Sequence, residues 1–339
     1  MGISQPENQA DGASRKRRPI RLPIADRITL GVMAGVPLVI TAALIIAPTI
    51  ATIYLSFTDW DGLGGMSAGH WIGLDNYTQA FTGDPRFTSA IEHNLIWFVF
   101  LFAIPTPFGL LLAYLLDKEI RFSRIYQSAI FLPVVLSLAI IGFIWQNLLY
   151  EPDHGLVNNV LGTTTKSTDF IDWLGNSSIN LWSILVAAGW RHGGYVMVLF
   201  LAGLKGVDPS QREAAAIDGA SEWQVFRNVV FPALRPINVV VFVITVIEAL
   251  RAFDLVYVMG APPGTELLGI LVTGSVLGES SRIGYGSALA TLLFLISTVF
   301  IVIFVSTQFN EREAGVGMLG NLRSGLATLV RALFRGGNA

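Results

Sequence analysis

Six apolar windows occur at about 29–57, 93–116, 125–149, 179–204, 236–259 and 285–308, each long enough for a helix to cross a hydrocarbon core of roughly 30 Å. Lipid offers the backbone no hydrogen-bond partners, so windows this apolar fold as helices. The spacing predicts an all-α integral membrane protein with six transmembrane helices. Only 14% of the 339 residues are charged and 53% are apolar, too little polar surface for a water-soluble core of this size. Cysteine is absent, which excludes disulfides, thiolate metal sites and cysteine nucleophiles. A formal net charge of -2 supplies no concentrated basic surface, so no nucleic-acid partner is expected.

Charge position sets the orientation. Of the 22 Lys and Arg residues, seventeen fall before the first window, in 117–124, in 205–235 or after 308, while the alternate loops hold only Arg86, Lys166 and Arg282. By the positive-inside rule both termini are cytoplasmic. Residues 1–26, with the cluster RKRRPIR (Arg15 to Arg21), read as a basic tail rather than a cleaved leader or a nucleic-acid arm. At the other end, Leu322, Leu326, Leu329, Val330 and Leu333 recur at helical spacing among Arg323, Arg331 and Arg335, a short amphipathic helix within 311–339 for the leaflet surface or a partner. The outer loops, 58–92 and 150–178, mix Trp, Tyr, Asp and Gly and suit a partly helical layer at the membrane interface.

One polar segment breaks the apolar pattern. Asp208-Pro-Ser-Gln211 offers an N-cap acceptor, a proline at the first helical position and a glutamine for a reciprocal cap. Asp218-Gly219 supplies a stop, with glycine free to take the left-handed conformation. Ser221-Glu-Trp-Gln224 then repeats the capping box and opens a second helix towards Pro232, with Trp223, Phe226 and Val230 as its apolar stripe. The pattern predicts helix, tight turn, helix. Ala214, Ala215 and Ala216 keep the first helix thin enough for another surface to approach its backbone, with Glu213 and Asp218 beside them. A plain connecting loop is the alternative.

The same segment resembles the cytoplasmic signature of permease subunits of binding-protein-dependent ABC importers. Glu213-Ala214-Ala215, Gly219 and Val229-Val230-Phe231-Pro232 hold the intervals of that pattern, with Val for Ile and Phe for Leu. SFTDW (Ser56 to Trp60), GLDNY (Gly73 to Tyr77), FLP (Phe131 to Pro133), RAFDLVYVMG (Arg251 to Gly260) and YGSA (Tyr285 to Ala288) are similar to the carbohydrate branch, the maltose and glycerol-3-phosphate importers; GAPPG (Gly260 to Gly264) departs from its glycine-glycine-proline turn. The resemblance implies a type I importer bundle over 27–310, a coupling hairpin at about 205–235, and ATPase contacts through Glu213, Ala214, Ala215, Asp218, Gly219 and Ala220. It also implies a prokaryotic cytoplasmic-membrane assembly with a second homologous permease subunit, two ATPase subunits that carry ATP and Mg, an extracytoplasmic solute-binding protein and a sugar substrate moved by alternating access. The chain itself has no GxxxxGK[ST] phosphate loop, so it is expected to be non-catalytic and to bind no cofactor or metal.

Charged residues inside spans are expensive and face a cavity or a partner. In the fifth window Glu248 and Arg251 share a face at i, i+3; they form a mutual ion pair or, with Asp254 and Leu255, line a substrate path. In the fourth, Arg191 suits either an anionic group of a sugar phosphate or a carboxylate of a partner subunit, and Tyr195 follows one turn on. His192 reads as a hydrogen-bonded packing residue rather than a metal ligand. Gly189, Gly193 and Gly194 permit close packing or a break in that helix, while Trp145, Gln146, Asn147 and Tyr150 suit sugar stacking or an interfacial belt. Pro105, Pro107 and Pro133 are expected to kink their helices. Motifs of intramembrane proteases and hydrolases are absent from the sequence, as are the inverted repeats that would favour a secondary transporter.

Overall fold

The computed structural model describes residues 23–65, 69–118, 120–278 and 281–312. The basic tail and the amphipathic C-terminal segment lie outside the described residues. The chain divides into residues 1–51 and 52–339. Helix α1 (Ile24–Leu55), most of it in the first unit, begins without a side-chain cap, carries Pro37 internally and buries no side chain of its most apolar stretch. A helix apolar on every face is suited to lipid or to another membrane helix.

The second unit is helical in its main elements, and prolines and polar caps set where its helices break. Asp84 opens α2 (Pro85–Ala103) by accepting from the backbone N–H of Arg86 at 3.1 Å. α3 (Pro105–Asp117) continues it after a kink at Ile104, where Pro105 cannot donate; the Thr106 hydroxyl takes the freed Leu101 carbonyl at 2.8 Å. α4 (Ser123–Val135) and α5 (Leu138–Leu149) meet at 101°. The single span expected over 125–149 is therefore two helices: Pro133 weakens the ladder, Leu136 and Ser137 are extended, and the Ser137 hydroxyl caps α5 at Ile140.

α6 (Asn180–Lys205) is unbroken and most deeply embedded. Its glycines provide close packing rather than a break. A Cβ on Gly194 would press into the Ile130 carbonyl of α4, and one on Gly109 of α3 would come within 2.8 Å of the Gly193 carbonyl. The three backbones approach where only glycine fits.

The window at 236–259 also divides. α9 (Arg235–Leu250) stops before Arg251, and α10 (Asp254–Val258) follows after Phe253. Asn94 of α2 resolves the freed backbone, donating to Ala249 O at 2.6 Å and accepting from Leu268 N at 3.0 Å. α11 (Leu268–Leu277) is apolar but too short to cross a membrane, and α12 (Ile283–Arg312) closes the unit. Among the described residues, four helices are long and apolar enough to cross (taking α2 and α3 together), or five if the bent α4–α5 pair is one span.

Three apolar clusters hold the unit. Trp97, Ile141, Leu185, Ala249 and Val256 join α2, α5, α6, α9 and α10; Phe200, Leu204, Val230 and Leu234 form a second; Phe87, Leu268, Tyr285 and Leu289 form a third. Polar bonds between distant segments join pieces that the charge count put on one side: Arg212 to Asp117, Lys118 to Glu222, Arg282 to Gln79, Tyr285 to Asp84.

Candidate functional site

Two features stand out: a charged cavity between α2, α5, α6 and α9, and a capped hairpin at the end of α6. The cavity holds about 440 Å³ and is lined by Trp97, Ile141, Arg191, Tyr195, Glu248, Arg251, Asp254 and Leu255, among others. The break after Leu250 makes it. Arg251 caps the end of α9 and Asp254 stands in the first turn of α10, so both charges project from a point where the helix has opened. Irregular backbone at membrane depth is tolerated beside a polar cavity.

The ion pair differs from the one that sequence spacing suggests. Glu248 reaches α6, not Arg251: its Oε1 accepts from Arg191 Nη1 at 3.1 Å and its Oε2 lies 2.7 Å from His192 Nδ1. The cause is the turn at Arg251, which ends the helical register that i, i+3 pairing requires. Arg191 thus pairs within its own chain. Arg251 and Asp254 are exposed, and neither forms an ion pair among the described residues.

His192 is fully buried, with Nε2 3.3 Å from Thr106 Oγ1 and 3.2 Å from Thr245 Oγ1. Sequence reading treats it as a hydrogen-bonded packing residue, and it is one, though its tie to Glu248 lay beyond reach of spacing along either helix. Thr245, three residues before Glu248 on the same face, was the available signal for the second half of the network. Trp97 joins the lining from α2 with no signal in its own segment.

Trp145 and Asn147 do not join the cavity. Trp145 packs against Tyr150 and Trp190, with ring centroids 5.2 and 5.9 Å away, beside a separate apolar hollow of about 610 Å³. Asn147 is exposed and donates to its own helix at Phe143 O, 3.2 Å away.

The hairpin forms as its caps dictate, with one difference. Asp208 caps α7 (Pro209–Ile217) through Ser210 N at 2.9 Å, one position earlier than a full capping box would use. That bond, first among its causes, holds the Asp208 carboxyl below its usual pKa. Gly219 is left-handed at φ 83°; its N–H reaches Ala216 O at 3.1 Å and that of Ala220 reaches Ala215 O at 3.0 Å, the paired bonds of a Schellman stop. Ser221 and Gln224 then complete a true capping box and open α8 (residues 222–233), which winds more loosely over Phe226–Val230.

The base of the hairpin is anchored and its tip is open. Arg212 donates to Asp117 Oδ2 at 2.6 Å and to Leu204 O at 2.8 Å, and Val230 is buried beside Leu204. Glu213, Ala214, Asp218 and Gly219 are exposed, Ala215 and Ala220 half-buried. Of the predicted stripe, Val230 is buried and Phe226 half-buried, but Trp223 is 66% exposed. Ile217 stands at the tip with 86% of its surface exposed, a residue the sequence reading passed over although it is the large apolar side chain closest to the turn.

Comparison with known proteins agrees with this architecture. The model of a family described as "Binding-protein-dependent transport system inner membrane component" matches residues 105–314, which include both the hairpin and most of the cavity. The xylose/arabinose import permease protein XacH of Haloferax volcanii is 32% identical over 82% of this chain and 87% of its own. The osmoprotective compounds uptake permease protein GgtC of Synechocystis sp. is 35% identical over 81% of this chain and 97% of its own. Among solved structures, a chain of a bacterial ABC transporter involved in the import of the acidic polysaccharide alginate superposes with a TM-score of 0.72 at 19% identity, covering 85% of this chain and 97% of that one. At that identity the likeness is one of fold.

Proposed function

The chain belongs to the binding-protein-dependent transport inner membrane family and is a multi-pass membrane protein, and we propose that it is the non-catalytic permease subunit of an ATP-driven importer that moves a sugar by alternating access. The observation that carries this reading is that the family match spans the capped hairpin and the charged cavity together. The relative named as a xylose/arabinose import permease supports a sugar as cargo.

On this reading six spans place both termini and the hairpin in the cytoplasm, α9 with α10 and the α4–α5 pair each serving as one broken span. The hairpin tip, with Ile217, Glu213 and Asp218 around the Gly219 turn, seats in an ATPase subunit. Its base, bonded to Asp117 at the end of α3, passes movement into the bundle whose kinks and breaks border the cavity. ATP and Mg belong to a homodimeric ATPase pair, a second homologous permease completes the pathway, and an extracytoplasmic binding protein delivers the cargo. A sugar phosphate is the weaker alternative, since Arg191 is already engaged by Glu248 and the remaining cavity cation, Arg251, shares the lining with Asp254.

The test is co-expression of the tagged chain with its genomic neighbours, followed by purification and reconstitution in vesicles. An ATPase and a second permease should co-purify, and labelled xylose or arabinose should accumulate only with ATP and binding protein. A chain that purifies alone, or uptake without ATP, overturns the proposal in favour of a secondary transporter.

A further inference from the structure

At the foot of the hairpin, α3 and α8 leave an apolar hollow of about 480 Å³ between them, lined by Pro107, Leu110, Leu111 and Tyr114 on one side and by Glu222, Trp223 and Phe226 on the other. Its α3 wall lies inside the apolar stretch Pro85–Asp117 and runs from Pro107 to the end of the helix, about 15 Å at 1.5 Å per residue. That is the depth of one leaflet, half of a hydrocarbon core of roughly 30 Å. Phe108, Leu111 and Leu115 are exposed along the same stretch, so the hollow opens onto an apolar surface at membrane depth. Its end is polar. Lys118, the C-cap of α3, lies 2.6 Å from Glu222 through Nζ and 5.0 Å above the Tyr114 ring. An ammonium has three hydrogens, so its engagement by Glu222 leaves it able to donate again. Trp223 stacks on Phe226 at 5.6 Å yet is mostly exposed, and its indole N–H makes no hydrogen bond among the described residues.

An apolar wall one leaflet deep, an aromatic rim and an ammonium at the mouth suit a single ligand chemistry, an acyl chain that ends in a phosphate. We propose that an anionic phospholipid of the leaflet on the hairpin's side seats in this hollow, with an acyl chain against Pro107, Leu110 and Leu111 and its phosphate at Lys118 and the Trp223 N–H. Charge favours an anionic headgroup over a zwitterionic one. Residues 117–124 and α8 hold four cations, Lys118, Arg121, Arg124 and Arg227, against three carboxylates, Asp117, Glu119 and Glu222, and Asp117 is already engaged by Arg212. The lipid then ties the end of α3 to the second arm of the hairpin beside the Lys118–Glu222 bond, so the hairpin's footing depends on leaflet composition. This site rests on the chain being a multi-pass membrane protein and not on the importer reading.

Brominated lipids test the proposal, because bromine quenches indole fluorescence only in contact. The chain, with the subunits that accompany it on purification, is reconstituted in phosphatidylcholine vesicles carrying equal minor fractions of dibrominated phosphatidylglycerol or dibrominated phosphatidylcholine. The difference between wild type and Trp223→Phe isolates Trp223 from the other tryptophans among the chain's eight. Brominated phosphatidylglycerol should quench the Trp223 component about twofold more than brominated phosphatidylcholine. Equal quenching by the two means contact with bulk lipid only, and no quenching means that protein covers the hollow; either result overturns the proposal. A second pair of variants compares total quenching and needs no W223F protein. Lys118→Gln and Glu222→Gln both break the bond between α3 and α8, but only the first removes the cation. K118Q should erase the preference for phosphatidylglycerol, and E222Q, which frees the ammonium, should keep or strengthen it. Loss in both variants would trace the preference to the broken bond and overturn the lipid site. A chain that purifies without an ATPase would sink the importer reading and leave the quenching result standing.

Discussion

In the cavity, Glu248 is held from two sides by Arg191 and His192, and His192 in turn by two threonines on other helices. At the hairpin tip, Ile217 and Gly219 stand in open space, and their positions come from backbone bonds within a dozen residues. The first feature is a buried polar network whose parts depend on one another; the second is a local shape that survives with little tertiary support. Under the proposed function the difference suits two tasks. A group that meets cargo at depth must be held where water cannot help it, whereas a surface that meets a partner needs its side chains free and its backbone stiff.

Substitutions can break that contrast, and the largest effect belongs to the cavity. Glu248→Ala leaves the half-buried Arg191 guanidinium without its counter-ion and His192 Nδ1 without its partner; removing one member of a buried pair costs about 3–5 kcal/mol, so the thermal midpoint of the purified complex should fall sharply. A midpoint within error of wild type would mean that the network is not mutually dependent. Arg212→Ala, at the boundary between the two regions, strands the mostly buried Asp117 carboxylate and should cost about 1–3 kcal/mol. Hydrogen exchange should then quicken in residues 205–218 while the amides around Glu248 stay protected; equal loss in both would show the regions to be one cooperative unit.

Gly219→Ala meets no atom within 4 Å but must hold φ 83°, so the expected cost is strain of roughly 1–2 kcal/mol confined to the turn. Exchange at the Gly219 and Ala220 amides reads it directly, and a global loss of stability would contradict the local account. The smallest effect is the pH response of the Asp208 cap. Its carboxyl titrates lower folded than unfolded, so its contribution is present above the ordinary carboxylate pKa and lost as pH falls through the lowered folded value. The Ser210 amide should therefore stay protected into mildly acidic solution, and early loss would remove Asp208 as the cap.

The hairpin was legible in the sequence because caps act over three or four residues. Asp208, Gly219 and Ser221 each declare a backbone event in their own neighbourhood, and only the position of the first cap bond and the exposure of Ile217 and Trp223 needed coordinates. The cavity was half legible. Rare charges in apolar windows picked out Arg191, Glu248, Arg251 and Asp254 as polar groups needing partners, and all four line one space, but their pairing was not readable. Spacing on an ideal helix joins Glu248 to Arg251, and the break at Leu250 undoes that geometry. Trp145 and Asn147 were grouped with the charged residues by chemistry alone and do not line this cavity: they stand further along α5 than Leu138 and Ile141, which do, and Trp145 borders the separate apolar hollow.

What the sequence by itself determined is everything written in short-range physics: apolar length for an all-helical membrane protein, caps and glycine for the hairpin. Tertiary structure alone decided that Glu248 turns to α6, that His192 is braced by Thr106 and Thr245, and that two apolar windows are broken helices, with Asn94 taking up the Ala249 carbonyl at one of the breaks. The reason is that a buried polar atom is satisfied by whichever partner packing brings within 3 Å, and separations of 86 and 155 residues along the chain leave no periodic trace of which partner that is.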